Sequence, residues 1–188
     1  MKRLFLAIPI NTENNGFAPL VNDLRNRLSH EKMINWVRPT NIQLTLKFIG
    51  ETPPQDEPKI IEAVSKVVEN HHSFTMDFNR TGLFGSRYAP RVLWLGMQQT
   101  PEELLNLEES VLTAFDNIGY QRDRQNFVPH LTLGRIKDLC EKQDFQKVVQ
   151  AIEQKSYIHQ EVNEIILFQS ILCPDGAVYK VMKKWNFQ

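Results

Sequence analysis

Two short segments of the 188-residue chain repeat each other, Gln43-Leu44-Thr45-Leu46 and His130-Leu131-Thr132-Leu133, 87 positions apart. In a β-strand, residues two apart share a face. His130 and Thr132 then point one way, and so do Gln43, Thr45 and Lys47. Leu44, Leu46, Leu131 and Leu133 point the other way, into a core. Imidazole exchanges protons near neutral pH, and hydroxyls, an amide and an ammonium hold anionic oxygens. Brought into one pocket, these groups form a cradle for a phosphate. A single His-x-Thr reads as no more than a half-exposed strand. The second copy in register, each time after a turn-like segment at 38–41 and 126–129, points to a site.

Other segments repeat at nearly the same offset. Arg3-Leu4-Phe5-Leu6-Ala7 resembles Arg91-Val92-Leu93-Trp94-Leu95, and Leu83-Phe84-Gly85-Ser86 resembles Leu167-Phe168-Gln169-Ser170. The period is too long for a solenoid and implies a duplicated lobe. Apolar runs predict strands at 3–8 and 92–97. Helical spacing of Leu20, Leu24 and Leu28 predicts a helix over 18–29. A second, with Thr100 as N-cap and Pro101 in its first turn, runs to Gly119. Further helices are expected over 58–70 and 144–155, strands over 73–84 and 162–172, and a closing strand over 178–185 after a turn at 173–176. The expected fold class is α+β: β-α-β-α-β used twice as lobes of about 1–88 and 89–188 in one domain. Pseudo-twofold symmetry would set two mainly antiparallel sheets around a central groove, with helices outside. The meeting line of two lobes is a usual place for a ligand.

Composition narrows the partners. Lys+Arg and Asp+Glu both number 22, for a formal net charge of zero. A chain that coats nucleic acid carries a basic surplus, so a nucleic-acid partner would be gripped at one local site. Cys140 and Cys173 form no disulfide framework and no metal-type spacing. They are expected to be buried free thiols in a reducing cytoplasm. The apolar run 4–8 is too short for a signal peptide, and no run reaches the roughly 18 residues of a membrane helix. A cytoplasmic monomer without metal, cofactor or membrane partner is expected.

On these residues the chain resembles the two-histidine phosphoesterase superfamily, and within it the RNA 2′,3′-cyclic phosphodiesterases, also called 2′-5′ RNA ligases. The likeness spans the whole chain. It is carried by residues 3–8, Trp36-Val37, residues 41–50, Pro90-Arg91-Val92-Leu93-Trp94, Pro129-His130-Leu131-Thr132-Leu133 with Arg135, and Leu167-Phe168-Gln169-Ser170. The family pattern has His-x-Thr in both copies. Here Gln43 stands at the first histidine's position. The resemblance implies metal-independent opening of 2′,3′-cyclic phosphates at RNA ends, or in small nucleotides, to 2′-phosphomonoesters. His130 would exchange protons, and Thr45, Thr132 and Arg135 would hold phosphate, with Lys47 adding charge. Gln43 cannot exchange a proton near neutral pH, so impaired turnover is implied. The alternative is a binding module for the same ends without turnover.

Other residues are weaker candidates. Strict alternation turns Arg135 away from His130, so a bulge or a strand end is needed to bring it in. Arg91 reads as structural. Arg87, Arg122 and Arg124 could draw an RNA backbone but read first as solvated loop residues. Among Phe48, Tyr120, Phe127 and Phe168, one could stack on a base, while Phe48 and Phe168 are expected in the core. His71-His72 reads as a helix end or surface, and His30 and His159 suggest no role.

Overall fold

The structure, a computed structural model, describes residues 1–86, 88–122, 127–174 and 176–188. Apolar residues at alternate positions make the strands and apolar stripes at helical spacing make the helices. The first copy holds β1 (Lys2–Pro9), α1 (Phe17–Arg27), β2 (Ile34–Trp36), β3 (Gln43–Thr52), α2 (Glu57–Val68), β4 (Phe74–Phe78) and β5 (Arg80–Ser86). The second holds β6 (Ala89–Gly96), α3 (Glu102–Asn117), β7 (His130–Ile136), α4 (Lys142–Gln150), β8 (Ile158–Val162), β9 (Glu164–Cys173) and the added β10 (Gly176–Asn186).

Two four-stranded sheets have the orders β10-β9-β1-β3 and β2-β7-β6-β5, and β4 pairs with β8 in a ribbon. The paired strands are antiparallel throughout. The triplets β9-β1-β3 and β5-β6-β7 are the same unit from the two copies, so the α+β duplication is realised. The sheets do not divide by copy, however. The last strand of each copy crosses to the other copy's sheet, and the expected boundary near 88 is a hairpin with Ser86 opposite Ala89. The strand expected over 73–84 breaks at Asn79, whose amide nitrogen bonds Asp77 and whose side-chain oxygen accepts from Gln98 N–H. That break frees β4 for the ribbon with β8.

One continuous core joins both sheets to all four helices, and Leu44, Leu46, Leu131 and Leu133 belong to it as expected. The indole N–H of Trp185 donates to Ser65 Oγ at 2.8 Å, pinning β10 to α2. Pro101, with ψ near 140°, is extended and caps α3, so the helix starts one residue later than expected. Gly119, at φ 88°, ends it in the conformation glycine tolerates. Both cysteines are free but exposed, against expectation. Cys173 ends β9 at a hairpin tip, and Cys140 lies just before α4, where its backbone N–H rather than its thiol is engaged. Among the described residues no helix is long and apolar enough to cross a membrane.

Candidate active site

Two matching bulges shape the groove. In β1–β3, Ala7 faces Thr45 and Leu6 faces Lys47, so Leu46 has no partner. In β6–β7, Trp94 faces Thr132 and Leu93 faces Gly134, so Leu133 has none. Each bulge inserts one residue and resets the alternation beyond it. The register thus relates the copies by 87 residues at every one of these positions, including the first strands, where the sequence match had suggested one more.

The reset decides which groups reach the groove. Arg135 faces Val92 and lies on the same face as Thr132 and His130. The bulge that strict alternation would need is present. Lys47 moves the opposite way. It pairs with the core residue Leu6, is buried, and donates from Nζ to Gln121 O at 2.9 Å. The expectation that Lys47 shares a face with Gln43 and Thr45 is therefore corrected. Phe48 takes the groove position instead and is 63% exposed rather than in the core, while Phe168 is buried as expected.

His130 is the one histidine on β3 and β7. Its Nδ1 lies 2.7 Å from the Val128 carbonyl, an acceptor, so Nδ1 carries the proton and Nε2 is the basic nitrogen of the neutral ring. The ring stands edge-on to Phe84 at 4.7 Å, and Phe84 packs on Trp94 at 5.4 Å. Burial pushes the imidazole pKa below its ordinary value. The Val128 bond raises it and the Arg135 charge lowers it. The ring is therefore neutral at pH 7, ready to accept a proton.

Across the groove, β3 approaches β7 and carries Gln43 and Thr45, both half-buried. Gln43 Nε2 is buried and has no hydrogen-bond partner among the described residues, and the same holds for Trp94 Nε1. A buried amide donor costs stability if it is left unpaired, and this one is free to donate to an acceptor in the groove. Beside them Phe5, Phe48, Phe168 and Tyr179 form an aromatic face, with Phe5–Phe168 stacked at 5.3 Å and Tyr179 edge-on to Phe5 at 4.9 Å. Phe84 and Trp94 were missed as site residues. The signal was Gly82, a strand glycine that marks close approach: a Cβ there would sit 2.1 Å from the Trp94 ring.

The remaining candidates fall outside this groove. Arg122 pairs with Glu109 and Asp116 on the surface. Tyr120 and Phe127 pack against the core. His71 caps α2 through Val67 O at 2.8 Å. His30 lies 3.4 Å from Asp144, and His159 lies 4.0 Å from Asp77. Arg87 and Arg124 lie outside the described residues. No group of three or more His, Cys, Asp or Glu side chains converges among the described residues. A cleft of about 550 Å³ between α2 and α3 holds no residue of the paired motifs.

Two x-Leu-Thr-Leu strands, β3 and β7, approach each other in a duplicated antiparallel frame. Residues 42–170 match the model of the 2′-5′ RNA ligase superfamily, and the chain belongs to that superfamily. Among curated relatives, the RNA 2′,3′-cyclic phosphodiesterase of Archaeoglobus fulgidus is 31% identical, with 96% of this chain and 98% of that one aligned. Its Thermotoga maritima namesake is 30% identical over 99% and 96%. Among solved structures, a Thermus thermophilus protein superposes with a TM-score of 0.79 at 23% identity, covering 98% of this chain and 97% of that one. Escherichia coli LigT, crystallised with 3′-AMP, gives 0.72 at 23% identity over 99% and 98%. At that identity the likeness concerns the fold.

Proposed function

We propose that the chain binds 2′,3′-cyclic phosphates at RNA ends and opens them to 2′-phosphomonoesters without a metal, at a rate limited by Gln43. The observation that carries the reading is His130, with Nδ1 tied to Val128 and Nε2 basic, on one strand face with Thr132 and Arg135. Water attacks phosphorus as Nε2 takes its proton, and the bond to the ribose 3′ oxygen breaks. That oxygen takes a proton from solvent, and His130 returns its own. Thr45, Thr132 and Arg135 hold the non-bridging oxygens as charge builds, and the Gln43 amide donates to a phosphate or leaving oxygen without yielding its proton. The names of the A. fulgidus and T. maritima relatives support the same substrate.

Gln43 also favours a second reading, a pocket that holds such ends without turnover. A 2′,3′-cyclic nucleotide assay with product identification, run beside a titration with a nucleoside 2′-phosphate, separates the two. Formation of the 2′-phosphate selects the enzyme, and binding without product selects the module. Neither binding nor product would defeat both.

A further inference from the structure

At one end of the groove lies a cavity of about 570 Å³, within the range of roughly 300–1,000 Å³ usual for nucleotide-sized ligands. It is lined by Arg25, Arg38 and Arg135, with Asn35, Trp36 and Tyr179. The β9–β10 hairpin reaches this end, where Asn41 Nδ2 donates to Ala177 O at 2.8 Å. Three guanidinium groups, each always charged, suit a phosphate oxygen cluster.

Two of the lining residues also belong to the groove. Arg135 shares its strand face with His130 and Thr132. Tyr179 belongs to the aromatic face that carries Phe5, Phe48 and Phe168. Arg135 and Tyr179 thus join the cavity to the groove, and Arg25 and Arg38 lie in the cavity beyond the paired motifs. Aromatic surface followed by guanidinium groups is the pattern that holds single strands, base by stacking and backbone by charge.

We infer that this cavity is a strand subsite, holding the phosphodiester and ring of the nucleotide that precedes the RNA end. It rests on the proposed reading of the reaction centre and adds to it that the preferred substrate is a strand rather than a free nucleotide. Arg25 is the informative residue, because it lies on α1, away from the paired motifs, and is exposed.

The test titrates two probes that cannot be turned over, a nucleoside 2′-phosphate and a tetranucleotide with the same 2′-phosphate end, into the full chain. The tetranucleotide is expected to bind about 10-fold more tightly, the weight of roughly one charge-assisted contact. Arg25→Gln, a helix-compatible change, removes most of that advantage and lowers the slope of log affinity against log salt by about 0.7. Arg25→Lys, which keeps the charge, restores the slope. Equal affinity for both probes, or an advantage that survives Arg25→Gln, overturns the subsite and leaves the reaction centre standing. Failure of both probes to bind overturns the reaction-centre reading and this inference with it.

Discussion

Phe48 and Arg135 hold the same station in the two copies, 87 residues apart, each the first groove-facing side chain beyond a bulge. Gln43 and His130 are paired in the same way. The second copy thus presents an imidazole and a guanidinium, and the first presents an amide and an exposed aromatic ring. A symmetric scaffold carries an asymmetric set of side chains, and on the proposed reading only the β7 side can transfer a proton.

On the proposed reading that asymmetry would set the pH dependence, with His130 acting as the base in its neutral form. The rate of cyclic-phosphate opening should rise with pH along one limb centred below about 6.5 and then stay level. A falling limb near neutral pH in the unaltered chain would show a second titrating group and sink the single-base scheme.

The same shift bears on stability. Because the folded pKa of His130 is lowered, the unfolded chain binds this proton first as pH falls. The folded state therefore loses stability from about pH 6.5 down to the folded pKa, below which the loss is complete. His130→Asn should remove this component from a plot of denaturation midpoint against pH. An unchanged plot would mean that the imidazole is not desolvated.

Restoring a second proton exchanger tests the role of Gln43. Gln43→His should raise turnover by about 10²- to 10⁴-fold and convert the single limb to a bell. A chain already fast as it stands, and indifferent to the change, would contradict the mechanism.

The threonines should act on the transition state. Thr45→Val and Thr132→Val each keep the shape and remove a donor, and each should lower kcat by about 10²-fold with a smaller change in KM. A rise in KM at constant kcat would mean that they hold the ground state and the transition state equally.

Much of this was legible in residue types and spacing. Alternation around Leu44, Leu46, Leu131 and Leu133 located the core face, and the repeated motif located the two strands, β3 and β7, that approach each other. The bulge in β3 was not legible, because nothing in Leu46-Lys47 shows that one residue will lose its partner, whereas Gly134 inside β7 was an unread signal for the other. That single insertion exchanged Lys47 for Phe48 and brought Arg135 in. The crossing of β5 and β9 was hidden for a similar reason, since pairing between copies is set by tertiary packing rather than by local pattern.

Glu31 was silent in the sequence for the same reason. Its buried carboxylate accepts the backbone N–H of Cys140 and Glu141, both at 2.7 Å, ahead of α4. It thus ties the loop after α1 to the other copy. Glu31→Gln turns an amide group toward a backbone donor and should cost about 2 kcal/mol. That corresponds to roughly 4–8 °C in Tm for a chain of this size. Substrate turnover measured well below Tm should persist, and a loss of turnover without a loss of Tm would assign Glu31 to the site instead.

Gly82 tests whether the wall behind His130 matters. The Trp94 ring covers Gly82, Phe84 packs on Trp94, and His130 stands against Phe84. A Cβ at 82 meets three ring atoms of Trp94 between 2.1 and 2.7 Å, so Gly82→Ala must displace the indole. Overpacking of this kind costs about 1–3 kcal/mol. The displaced ring loosens Phe84, water reaches the imidazole, and the midpoint of the pH–rate limb should move up toward the ordinary histidine value. Trp94→Phe removes the ring atoms that clash, so Gly82→Ala should cost less in that background than alone. Additive costs would mean that the two residues do not act through one contact, and the wall would then have no part in setting the base.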